Sequence, residues 1–113
     1  MPSYSAILAT DGDENISVAG TVATLTLPTV LNATARQSRG VTGGKATIRV
    51  RTAPVLYTLT GTAPTDSDYT TGQELKVGEI LVLTSFAEMD NFKAIRATAT
   101  TAALYTQYER RVS

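Results

Sequence analysis

Few side chains in this sequence could do chemistry, and their spacing decides each case. Asp11, Asp13 and Asn15 place oxygens at the first, third and fifth positions of a calcium loop, the donor type that this hard cation prefers. The sixth position is Ile16, where the loop's sharp turn needs Gly, and the twelfth is Val22, where a bidentate Glu should close the shell. A solvated turn is the expectation. Gly40-Val41-Thr42-Gly43-Gly44-Lys45 has the look of a phosphate-binding loop, but it is one residue short and Ala46 stands where a hydroxyl should meet magnesium. It also runs into a strand, where the true motif opens a helix, so a flexible turn is expected. Asp66 and Asp68 could pair for acid–base work or hold a cation, yet they sit in a turn-rich stretch with nothing apolar nearby to raise a pKa.

The sequence contains no Cys and no His. That removes thiolate chemistry, disulfides, most structural zinc sites, the commonest general base and every triad built on it. The reading is a protein without catalytic residues, metal or cofactor, one that binds or builds. Arg36, Arg39, Lys45, Arg49 and Arg51 make the middle locally basic, and Arg110-Arg111 repeats this near the end. Aromatic residues are not interleaved with these charges as a single-strand platform would require, and the formal net charge is zero. A solvated face or a contact with an acidic protein is therefore favoured over nucleic acid. Asn15-Ile16-Ser17 and Asn32-Ala33-Thr34 match the glycosylation sequon, a pattern frequent by chance.

The elements that carry these residues read as strands. Thr is the commonest residue and alternates with Val, Ile, Leu and Tyr in short runs broken by Gly, Pro, Asn and Asp. From Lys45 to Arg51, residues Ala46, Ile48 and Val50 point one way and Lys45, Thr47, Arg49 and Arg51 the other, giving a half-buried strand with a basic outer face. Pro54 ends it. Val55 to Thr60 forms a second strand, apolar on both sides near its start and able to pair with the first. Gly61 to Gly72 is a long exposed loop tipped by Tyr69, and Gln73 to Lys76 is a short strand. After a turn at Val77-Gly78, Glu79 to Thr84 is the best candidate for a central strand. Ser85 caps one helical turn, and Phe92 to Thr98 and Ala102 to Arg110 are strands. In the last, Leu104, Thr106 and Tyr108 share one face and Tyr105 and Gln107 the other; Tyr57, Tyr105 and Tyr108 are read as core or interface aromatics.

With 113 residues the chain has room for one core. The expectation is an all-β fold, a single β-sandwich or barrel-like domain: residues 1–30 as an extended N-terminal arm with the first strands, residues 31–113 as the sandwich core. Extended pieces are expected at Ser5 to Ala9, Ile16 to Val18 and Val22 to Leu27, followed by a polar stretch from Pro28 to Gly44. Met1-Pro2-Ser3-Tyr4 lacks the charged and apolar regions of a signal peptide, and no apolar run approaches membrane-spanning length. Synthesis and retention in the cytoplasm until assembly or lysis is the expected history, with no membrane partner.

The run Pro54-Val55-Leu56-Tyr57-Thr58-Leu59-Thr60-Gly61-Thr62-Ala63-Pro64-Thr65, then Gly78-Glu79-Ile80-Leu81-Val82-Leu83, then Asn91-Phe92-Lys93-Ala94-Ile95-Arg96-Ala97, resembles small β-sandwich proteins of tailed bacteriophage virions. The shared layout is a strand, a Gly-Thr-x-Pro-Thr loop, a Gly-led apolar strand, a Phe-x-Ala-Ile strand and a terminal strand containing Tyr. The resemblance covers the second half of the chain. A Tyr-Thr-Leu followed by Gly-Thr-x-Pro-Thr is also similar to immunoglobulin-like accessory domains of carbohydrate-active enzymes, which usually carry Asp before the Gly where this chain has Thr60. The phage resemblance implies a capsid decoration protein, often a trimer, that sits on the virion surface and clamps neighbouring major capsid protein subunits. Tail and head–tail joining proteins also use such sandwiches, and a carbohydrate-binding module would stack sugar on Tyr69 or Tyr57. Under the decoration reading the contact residues are Tyr4 and Ile7 in the arm, Arg49 and Arg51 on the basic face, and Asp66, Asp68 and Tyr69 in the loop. Deleting the first fifteen residues would then weaken attachment and leave the domain folded.

Overall fold

A computed structural model describes residues 7–27 and 41–112. The described chain forms β1 (Ile7–Val18), β2 (Ala23–Thr24), β3 (Val41–Arg51), β4 (Val55–Thr58), β5 (Gln73–Leu75), β6 (Ile80–Leu83), α1 (Phe86–Asn91), β7 (Lys93–Arg96) and β8 (Ala102–Val112). The strands make two antiparallel four-stranded sheets in the orders β1-β8-β3-β6 and β2-β7-β4-β5. The fold is all-β, with the inner faces of the two sheets enclosing one core.

Alternation explains which side chains enter that core. Ala46, Ile48 and Val50 of β3 and Leu104, Thr106 and Tyr108 of β8 are buried, while Arg49 and Gln107 between them are exposed. Val55, Tyr57 and Ala94 enter from the second sheet, with Phe92 and Met89 beside them. The Tyr57 and Phe92 rings stack with centroids 6.1 Å apart. Leu56 and its cross-strand partner Ile95 belong to the opposite face of the second sheet, where they form a second buried cluster with Ala97. The start of β4 is thus apolar on both sides because both of its faces are covered.

Ser85 caps α1: its side chain accepts from the Glu88 amide (3.1 Å), and Glu88 Oε1 reaches back to the Thr84 amide (3.0 Å). Gly78 takes φ 89° in the turn before β6, a conformation that favours glycine.

Four expectations change. Asp11 to Asn15 is not a turn but part of β1, which continues through a bulge at Gly12 (φ 125°) where the register against β8 shifts. Gly43 and Gly44 lie within β3 rather than in a turn. β3 and β4 do not pair; the chain leaves the first sheet for the second through a tight turn in which the Ala53 amide donates to the Arg51 carbonyl (2.9 Å) and Thr52 takes φ 71°. Last, the apolar run Ile80–Leu83 is an edge strand, not a central one: β3 flanks it on one side only, and Ile80 and Val82 are 49 % and 45 % exposed.

Of the segment read as an arm, Ile7–Val18 is bonded to β8 along its length and Ala23–Thr24 pairs with β7. Tyr4 and the polar stretch 28–40 lie outside the described residues. Removing residues 1–15 would therefore strip Ile7 to Asn15 from β8, and the domain would not remain intact as the arm reading required. The expected result is a thermal midpoint lower by about 10 °C or more, read by circular dichroism; an unchanged midpoint would show that this ladder adds no stability. Thr106 offers a second test, because its buried hydroxyl has no partner among the described residues. Thr106→Val keeps the shape and removes the desolvated oxygen, so urea denaturation should show a gain of about 1 kcal/mol. A loss would reveal that the hydroxyl is bonded.

Candidate functional site

The two sheets differ in what they leave open. The second is buried on both faces around β4 and β7, whereas no described element covers the outer face of the first. Register builds this face in rows. One runs Asn15, Tyr105, Arg49, Ile80 and the next Asp13, Gln107, Thr47, Val82. Arg51 stands opposite Ala103 in a third.

The chemistry of the face follows from those neighbours. The Arg51 guanidinium lies 4.8 Å from the centroid of the Tyr105 ring, a cation–π contact that holds it flat on the sheet. Tyr105 donates from its hydroxyl to Asp13 Oδ2 (2.7 Å), and that bond, with partial desolvation and the carboxylate's charge, holds the hydroxyl's pKa above its ordinary value. Lys45 and Glu109 pair across strands at 3.5 Å, so this end of the face is self-neutralised. Arg49 and Arg51 have no carboxylate partner among the described residues. With Thr47, Tyr105 and Gln107 they line a shallow depression of about 220 Å³. Two donor forks, one aromatic ring and two amphipathic neighbours make a place for a carboxylate of a partner, not a reaction site.

The loop residues are placed elsewhere, beside the second sheet. Asp66 is held by Arg96 in a two-pronged pair, Nε to Oδ1 at 2.7 Å and Nη2 to Oδ2 at 2.8 Å, and accepts from Ser67 Oγ at 2.9 Å. Those bonds, Arg96 first, lower its pKa. Asp68 accepts from the hydroxyl (2.6 Å) and the amide (3.0 Å) of Thr70, and these contacts lower its pKa in turn. Tyr69 is 53 % exposed but bonded to Glu74, whose charge adds to desolvation in raising its pKa. The Arg96 amide donates to Ala19 and its carbonyl accepts from Ser67, so one residue pins both the β1–β2 turn and the loop. The carboxylates thus serve the loop's own architecture, and the loop is tied down.

A second concavity, of about 260 Å³, is lined by Tyr57, Thr58, Leu59, Thr60, Gly72 and Gln73. Gly72 is required there, since a Cβ would lie 2.9 Å from the Tyr57 carbonyl oxygen. Tyr57 is 8 % exposed, stacked on Phe92 and bonded through its hydroxyl to Gln73 (2.8 Å), so its ring offers no platform for a sugar. Ile7 is within β1 at the far end of the first sheet, opposite Val112. Among the described residues no three His, Cys, Asp or Glu side chains converge as metal ligands, and no helix is long and apolar enough to cross a membrane.

Sequence alternation marked Arg49 and Arg51 as outward. It missed Ile80 and Val82, because a short apolar run does not distinguish an edge strand from a central one. It also missed Arg96, whose partner lies 30 residues away. Comparison with known protein families, curated proteins and solved structures finds no match.

The Asp66–Arg96 pair makes loop order pH-dependent. A carboxylate with a lowered folded pKa stabilises the fold above its unfolded value of about 3.9 and loses that contribution as pH falls through the lower folded value. In Arg96→Met, the Asp66 carboxyl followed by NMR should titrate at a higher pH than in the wild type, and the loop amides should exchange faster at neutral pH. An unchanged Asp66 titration would show that Arg96 does not set it.

Proposed function

We propose that this chain is a virion structural protein, a capsid decoration protein that binds and stabilises the major capsid protein shell as a homo-oligomer, a trimer by the resemblance. The reading assigns no catalytic step, cofactor, nucleic acid or membrane to it. The observation that carries it is the open face of the first sheet, where Arg49 and Arg51, without a carboxylate partner among the described residues, and the Tyr105 ring adjoin exposed Ile80 and Val82. Arginine and tyrosine flanked by apolar side chains are the composition of protein-binding hot spots. The resemblance of the second half to phage sandwich proteins supports the same conclusion. A shell repeats the contact many times, so a domain with a shallow face and modest affinity per copy can hold firmly once several copies are linked.

The role is tested by co-sedimentation with empty phage shells and by the mass of the free protein. The expected results are a trimer that sediments with the shells, and an Arg49→Glu/Arg51→Glu double variant that folds but stays in the supernatant at physiological salt. Wild-type protein that remains soluble while binding tail or head–tail joining assemblies would move it to those positions. Charge-reversed protein that still sediments would remove this face from the contact.

A further inference from the structure

Four strands border the two sheets, and three of them are protected. β2 and β5 have only two and three residues, and β1 carries the Gly12 bulge. β6 is also short, at four residues, but has no other such device: Ile80-Leu81-Val82-Leu83 contains no charge and no Pro, and its register against β3 runs without a shift.

Which of its backbone groups are open follows from the ladder. The Val50 amide donates to the Glu79 carbonyl (3.2 Å), so on this antiparallel pair residues 79, 81 and 83 turn their groups toward β3. Ile80 and Val82 therefore turn N–H and C=O outward, where no described backbone group meets them. The same two residues have the exposed side chains, on the face that carries Arg49 directly opposite Ile80.

We infer that β6 accepts an extended acidic segment of a partner protein as a fifth strand of the first sheet, with a carboxylate reaching Arg49 across Ile80. The inference rests on reading the chain as a binding protein and not on its place in a virion. Charge complementarity selects this occupant. The added strand lies about 10 Å from β3, two strand spacings away, a gap that an arginine and a glutamate side chain span together. The glutamate stems then cover Ile80 and Val82 while a carboxylate meets the Arg49 guanidinium. The two nearby carboxylates have partners within the protein: Glu79 Oε1 accepts from the Lys76 amide (2.6 Å), and Asp13 from the Tyr105 hydroxyl. At the other end of the face, Lys45 and Glu109 make the same kind of cross-strand pair within the protein.

The test uses the full chain and two synthetic ten-residue probes, one alternating Thr with Glu and one alternating Thr with Lys, with binding read by fluorescence anisotropy. The Glu peptide should bind, weaken as salt is raised, and outcompete the Lys peptide. Val82→Pro removes an outward N–H without cutting the ladder to β3 and should weaken binding about tenfold. Val82→Glu, which sets a like charge beside the added carboxylates, should weaken binding at low salt, and Arg49→Gln should reduce the salt dependence. Equal binding of both peptides, no binding of either, or wild-type affinity in folded Val82→Pro and Val82→Glu overturns the inference. So does a self-association abolished by Val82→Glu in sedimentation equilibrium, which would make a second copy the occupant. Shell sedimentation that persists while the Glu peptide fails to bind overturns strand addition alone and leaves the decoration reading intact.

Discussion

Everything in this domain is arranged around β8. It is hydrogen-bonded to β1 along one side and to β3 along the other, and its inward side chains Leu104, Thr106 and Tyr108 are almost wholly buried. Tyr108 is the point where packing and polarity must be reconciled. Its ring is in the core, yet its hydroxyl donates to Glu14 of β1, and the same Glu14 Oε1 accepts from the Thr26 amide (2.9 Å). Burial, then the Glu14 bond, drives the phenol's pKa far upward, so it stays a neutral donor at any ordinary pH. One carboxylate thereby ties the first sheet's edge, its centre and the segment after β2, which leads the chain from one sheet to the other.

That arrangement explains why the outer face of the first sheet is left open by the described residues. A strand central to a sheet and apolar on one side must present its other side to solvent unless another layer covers it. Leu56 and Ile95 of the second sheet are covered; among the described residues nothing covers the outer face of the first. Among the described residues Arg49 and Arg51 make no ion pair, and the strained turn at Thr52 ends β3 immediately after Arg51. Non-glycine backbone at positive φ is costly and persists where its surroundings hold it, here at the crossing between sheets beside the basic face.

Much of this was legible in the residues. Strict alternation from Lys45 to Arg51 and from Leu104 to Tyr108 gave both faces correctly, and Ser85 as a cap marked the short helix Phe86–Asn91. Failures occurred where local pattern carries no information on neighbours. Asp11-Gly12-Asp13 has turn chemistry, but pairing with β8 along the whole strand overrides it and the glycine is used for a bulge. The β3–β4 pairing failed because Pro54 ends a strand without saying which sheet the next one joins. Ile80 to Leu83 reads the same at a centre or an edge. Of the site residues, Arg49 and Arg51 were found by alternation, whereas the loop carboxylates depended on Arg96, a partner distant in sequence.

The central claim is that the outer face of the first sheet, together with the β6 edge, is the contact surface. Hydrogen exchange of the protein free and bound to empty phage shells tests it most directly, because amides of Ile80 and Val82 point outward and exchange freely unless a partner takes them. The account predicts strong added protection over 80–83 and along β3, with the loop from Gly61 to Gly72 unchanged. Added protection confined to that loop, with β6 exchanging as in the free protein, would contradict it.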